Sequence, residues 1–242
     1  MQAKNFSHWV IIESEVTKST NDDALNFVIP ENECRNFVFS TKRQTGGRGR
    51  LGRKWSDGRG NLMFSAIVKC DAKNSGLLSL VCGISVLQTI KFFAENADVK
   101  LKWPNDVLLQ NKKVCGILIE RKDENYVVVG IGVNIKNSPV LQNAGYQATS
   151  LKECQIDVSK DDFLPQFLNI FDEWLAKIAK KEFNAVQEAW ISSAKGINEK
   201  VEIKNMEEKI AGKLIGVDEN GAVVIEKDGK KISVFAGDVN YL

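Results

Sequence analysis

The chain has 242 residues, 43% of them hydrophobic and 26% charged, the balance of a folded globular protein with room for one large domain and a small one. Its 33 basic and 31 acidic residues leave a net charge of +2, which excludes a surface given over to nucleic acid, and a single histidine, His8, excludes histidine-based triads and metal clusters. Five scattered cysteines with no CxxC pair indicate neither a zinc site nor a disulfide framework, and reduced thiols in a cytosolic protein are the expectation.

The polar residues 1–6 do not read as a signal peptide. Residues 10–13 are apolar and β-branched, a strand pattern. Ser19, Thr20, Asn21, Asp22 and Asp23 then read as an N-cap followed by acids in the first helical turn, where the helix dipole favours them, and Pro30 ends that helix. A second strand over 37–40 runs into residues 44–55, Gln-Thr-Gly-Gly-Arg-Gly-Arg-Leu-Gly-Arg-Lys-Trp. From Lys42 to Arg59 there are seven basic residues and one acid, Asp57. Arginine forks match phosphate and carboxylate oxygens in pairs, and glycines let backbone N–H groups approach an anion. Taken alone, the loop reads equally well as a solvated linker or an RGG-like nucleic-acid segment.

Strand character resumes over 62–68, and 75–95 reads as a long helix. Its polar interruptions, from Ser79 to Lys91, favour a buried amphipathic helix over a membrane span. Strands are expected at 99–102, 107–109, 114–121 and 126–129, the last entering the strand-like 130–134, and helices at 161–180 and 183–191. Beyond a boundary near 192–198, strands at 201–203, 210–217, 222–226 and 231–234 alternate with turn signals and suggest a small SH3-like barrel. The expected architecture is α+β, a mixed or antiparallel sheet with helices, divided into residues 1–195 and 196–242.

Three further clusters interrupt the strands. Lys102-Trp103-Pro104-Asn105-Asp106 sets an amide and a carboxylate side by side on a proline-fixed turn, which by itself is an ordinary Asx turn. Lys113-Val114-Cys115-Gly116-Ile117-Leu118-Ile119-Glu120 puts a glycine inside a strand, which weakens it unless something must approach the backbone closely. Gly130-Ile131-Gly132-Val133-Asn134 lacks the third glycine and the following helix of a dinucleotide fingerprint.

In this order, Ser-Thr-Asn at a helix start, Gln-x-x-Gly-Arg-Gly-Arg-x-Gly-Arg-x-Trp, Lys-Trp-Pro-Asn-Asp, Lys-x-x-Gly-Ile-Leu-x-Glu and Gly-x-Gly-x-Asn closely resemble the biotin protein ligases. The resemblance covers nearly the whole chain and implies a class II synthetase-like catalytic domain with a C-terminal SH3-like barrel. It implies formation of biotinoyl-5′-AMP from biotin and ATP with Mg²⁺, then transfer to a lysine of a biotin carboxyl carrier protein. It also implies a cytoplasmic enzyme of the form without an N-terminal DNA-binding domain, with no DNA or membrane partner; pairing with a second copy, as a homodimer, is left open by the sequence. By resemblance Ser19, Thr20, Gln44 and Gly47 line the biotin head-group pocket, while Gly116, Ile117 and Gly130 leave an apolar slot. Arg48 and Arg50 close over the carboxylate and α-phosphate, Lys113 reaches the same oxygens, and Arg53, Trp55, Asn105 and Asn134 take the nucleotide, with Trp55 on adenine. Asp106 is left between orienting Lys113, assisting a metal and accepting a proton. Leu51 departs from the family pattern, where many members carry another arginine. A lipoate or octanoate ligase is the nearest rival.

Overall fold

The computed structural model describes residues 2–31, 33–56, 58–70, 75–139, 147–204 and 208–242; Asp57 lies outside them. In chain order the elements are β1 (Gln2–Phe6), β2 (Trp9–Ser14), α1 (Thr20–Asn26), β3 (Asn36–Thr41), β4 (Leu62–Lys69), α2 (Ser75–Phe93), β5 (Val99–Lys102) and β6 (Asp106–Leu109). They continue with β7 (Lys112–Arg121), β8 (Tyr126–Val133), α3 (Lys160–Ala179), α4 (Phe183–Ser193), β9 (Lys200–Lys204), β10 (Lys209–Val217), β11 (Val223–Lys227), β12 (Lys230–Val234) and β13 (Asp238–Tyr241). The chain divides into two compact units, Met1–Ala72 with Lys112–Gln166 and Lys73–Asn111 with Phe167–Leu242.

In the first unit the strands lie in the order β1-β2-β3-β4-β8-β7. β2 and β3 are parallel, with Val10 opposite Phe37, and the other neighbours are antiparallel, which makes the sheet mixed. Helix α1 lies on this sheet. Its Ala24 is sealed against Val10, Phe37, Phe39, Ile67 and Val128, with Leu25 and Phe27 at the margin. Burying each larger side chain in that cluster contributes about 1.5–3 kcal/mol. Ala24 has no exposed surface, so a larger side chain there would lift α1 and carry Thr20, Asn21 and Asp22 away from the sheet. Ser19 is the N-cap residue by backbone geometry, but its side chain makes no capping hydrogen bond, contrary to the sequence expectation.

In the second unit α2 is not the amphipathic helix expected. Residues 80–87 are all buried, more than two full turns, so the helix is enclosed on every face. Its interior hydroxyls are satisfied locally: Ser85 donates to the Val81 carbonyl (2.8 Å) and Thr89 to that of Ser85 (2.7 Å). Gly76–Phe93 is apolar enough to cross a bilayer, yet 67% of it is buried in the protein, the mark of an interior helix. β5 and β6 form an antiparallel hairpin, with Lys102 opposite Asp106.

The C-terminal strands form one antiparallel sheet in the order β12-β11-β10-β9-β13. β12 and β13 are its two edges, so the expected barrel is open by its hydrogen bonds. β1 and β13 escape the sequence reading: β1 is polar and almost wholly exposed, and both are edge strands. The β11–β12 hairpin turns at Asp228 and Gly229, whose φ values of 51° and 72° are those of a two-residue type I′ turn.

Candidate active site

Residues 44–55 fold back on themselves as a small hairpin. Arg48 bridges Lys54, the Gly49 N–H donates to the Arg53 carbonyl (2.6 Å), and the Trp55 N–H donates to Gly47 (3.0 Å). At its foot Gln44 bridges Thr17, which ties the loop to the segment entering α1. Leu51 sits near the tip with φ 55° and is 71% exposed, so the departure from the family pattern falls on a solvent-facing position.

The start of α1 gathers a buried polar group under this loop. Gln44 Oε1 accepts from the Thr20 backbone N–H (2.8 Å) and hydroxyl (3.1 Å). The Ser65 hydroxyl of β4 lies 2.7 Å from Thr20 Oγ1 and 2.5 Å from Asn21 Oδ1, so one proton serves two acceptors. Asn21 Nδ2 donates to Glu120 Oε2 of β7 (2.6 Å). Arg48 reaches out of the loop with one guanidinium nitrogen on Asp22 Oδ1 (2.6 Å) and the other on Glu120 (3.1 and 3.3 Å). The bond to Asp22 leads the influences that raise the already high pKa of Arg48, so the guanidinium is permanently charged.

The glycines do what a strand glycine must, which is to admit a neighbour. Gly116 and Gly132 face each other on β7 and β8, and a Cβ on either would collide with the Trp55 indole. Trp55, expected to offer a face to adenine, is thus seated on a rung of two glycines. The Lys113 ammonium stands 5.6 Å from the ring centroid, in cation–π range. Gly130, expected to open an apolar slot, makes room for the Asn21 carboxamide instead. Ile117 is a core residue opposite Ile131. Asn134, expected on the nucleotide, is 1% exposed and donates from Nδ2 to the Thr149 carbonyl (2.9 Å), while the Thr149 N–H donates to the Lys113 carbonyl (2.9 Å). Its visible work is to brace the backbone that carries Lys113.

The Lys102–Asp106 segment belongs to the second unit. Its Trp103–Pro104 bond is cis, Ser79 of α2 donates to the Pro104 carbonyl (2.8 Å), and the buried Trp103 donates from Nε1 to the Gly221 carbonyl (3.1 Å). Helix α2 and the turn before β11 therefore hold Asn105 and Asp106 at the start of β6. Among the described residues no three His, Cys, Asp or Glu side chains gather as a metal-ligand group.

Asn21, Asp22, Ser65, Glu120 and Gly132 were not singled out as site residues from sequence. Ser65 did carry a signal, a hydroxyl in the middle of the apolar strand Leu-Met-Phe-Ser-Ala-Ile-Val.

A sheet whose glycines seat Trp55 of a basic loop near a lysine, beside a buried group of hydrogen-bonding side chains, is the candidate site of this fold. The chain belongs to the biotin/lipoate A/B protein ligase family, whose model matches residues 13–134. It is 30% identical over 236 residues to a biotin–acetyl-CoA-carboxylase ligase of Mycobacterium tuberculosis, covering 93% of this chain and 86% of that protein. It is 28% identical over 234 residues to the enzyme of that name from Paracoccus denitrificans, covering 92% and 97%. The biotin protein ligase of Aquifex aeolicus, solved in complex with biotin and ATP, superimposes with a TM-score of 0.82 at 30% identity, covering 95% of this chain and 97% of that one.

Proposed function

We propose that this chain is an ATP-dependent biotin protein ligase, which activates biotin as biotinoyl-5′-AMP and transfers it to a lysine on the carrier protein of a biotin-dependent carboxylase. The observation that carries this reading is the convergence of Gln44, Arg48 and Trp55 from the loop with Thr20 and Lys113. It is supported by the likeness to a ligase solved with biotin and ATP.

The two substrates repel each other as anions, and the reaction needs positive charge that holds them together. Thr20, Ser65 and Gln44 supply donors and acceptors for the polar ureido end of biotin, and Trp55 walls the slot. Lys113 stabilises the charge that grows as a biotin carboxylate oxygen attacks the α-phosphorus and pyrophosphate departs. Arg50 and Arg53 add charge from the loop. Asn105 and Asp106 are assigned to the nucleotide. Mg²⁺ enters with ATP as part of that substrate, held mainly by phosphate oxygens. In the second step the ε-amine of the carrier lysine attacks the acyl carbon and AMP leaves. Until then the loop keeps water from the anhydride.

The test is incubation with biotin, ATP, Mg²⁺ and a biotin carboxyl carrier domain, read by mass. Gain of one biotinyl group is the expected result. Lipoate and octanoate arms of a pyrophosphate-exchange assay should stay silent; exchange with either in preference to biotin would overturn the substrate assignment.

A further inference from the structure

Glu120, which ends the Lys-x-x-Gly-Ile-Leu-x-Glu segment, has no part in the chemistry described above. We propose that Glu120 is a positioning residue that couples the head-group pocket to the lid. The inference rests on the biotin-ligase reading and adds to it a mechanical link between ligand and loop.

The link is visible side chain by side chain. Glu120 Oε2 accepts from Asn21 Nδ2 at 2.6 Å and from Arg48 at 3.1 Å, so one carboxylate oxygen serves the pocket and the loop together. On the pocket side Asn21 is 5% exposed, receives the Ser65 hydroxyl at 2.5 Å, and fills the space that Gly130 leaves open. Ser65 also meets Thr20, and Thr20 meets Gln44. A ligand that shifts this group shifts Asn21, and Asn21 shifts Glu120. On the loop side Arg48 has Asp22 as its second anchor, at 2.6 Å. The two carboxylates flank one guanidinium. Losing either charge loosens the loop, but Glu120 also ties Arg48 to the pocket through Asn21, whereas Asp22 touches Arg48 alone among the members of this group.

Partial exposure of the three charged side chains, 28–35%, keeps each ion pair individually modest. Their effect comes from belonging to one connected network in which each member fixes the next. Coupling of this kind is reciprocal: a ligand that holds Asn21 holds the lid, and a closed lid holds the pocket in its binding form.

The loop's own arginines make it a substrate for trypsin, so its closure can be read without any turnover. The isosteric variant Glu120→Gln keeps an acceptor for Asn21 but removes the charge facing Arg48. Its loop should be cut faster than the wild type's by on the order of tenfold, as for loss of one charge-assisted hydrogen bond. Biotin should slow cutting of the wild type and should no longer slow it in Glu120→Gln. Asp22→Asn should raise the basal rate similarly while keeping the protection by biotin. An unchanged basal rate in Glu120→Gln, or full protection by biotin in that variant, overturns the inference. If the wild-type protein binds no biotin by calorimetry, the functional reading falls instead, and the basal rate of Glu120→Gln still decides whether Glu120 latches the lid.

Discussion

Glycine does two unlike jobs in this chain, one at Gly116, Gly130 and Gly132 and the other at Gly229. The first three have ordinary strand backbones, and their use is the volume a missing Cβ leaves: Trp55 and Asn21 sit where side chains would be. Gly229 has nothing within 4 Å of where a Cβ would stand, and its use is a φ of 72°. Substitution at the first three evicts a partner and damages the site, whereas substitution at the last strains a turn and leaves the site alone. The same residue type therefore reports on function in one region and on stability in the other.

The largest effect should come from the lysine the glycine rung faces. Lys113→Ala is expected to slow biotin-dependent ATP–pyrophosphate exchange by on the order of 10²-fold or more, the loss seen when one transition-state donor is removed. Near-normal exchange would take Lys113 out of that role. Gly132→Val should weaken biotin binding, measured by calorimetry, by a factor on the order of 10 or more, since overpacking costs about 1–3 kcal/mol and the displaced group here is Trp55. Wild-type affinity would break the comparison at its functional end. Arg48→Ala should raise release of biotinoyl-AMP in the absence of carrier by on the order of tenfold, as a shielding contact is lost; unchanged release counts against a lid. Gly229→Ala should lower stability by about 1 kcal/mol, the usual cost of a left-handed residue with a side chain, and leave biotin transfer untouched. A drop in transfer rate at full folding would erase the distinction between the two kinds of glycine.

Much of this was legible before the structure, and for physical reasons. Helical spacing of apolar residues located α3, capping signals located α1, and apolar, β-branched runs located most strands, several of which are buried on both faces. Periodicity misjudged α2, since a helix enclosed on all sides has no polar stripe to show. It passed over β1 and β13, whose edge positions leave too little buried surface to impose alternation. A glycine inside β7 rightly implied a close approach, but sequence has no way to say what approaches, and Trp55 and Asn21 reach their rungs from distant segments. Asn21 and Asp22 were legible as a helix start but not as partners of Glu120 and Arg48. Those pairings cross up to 99 residues of chain and exist only once the sheet is assembled.

The seat of Trp55 has one more consequence. Of the five tryptophans in the chain, Trp9, Trp103, Trp174 and Trp190 are at most 7% exposed, while Trp55 is only half-buried. A soluble quencher such as acrylamide will therefore report chiefly on Trp55, and it will do so more strongly whenever the indole leaves its two glycines. The protein carries its own optical gauge of whether Trp55 is seated on Gly116 and Gly132.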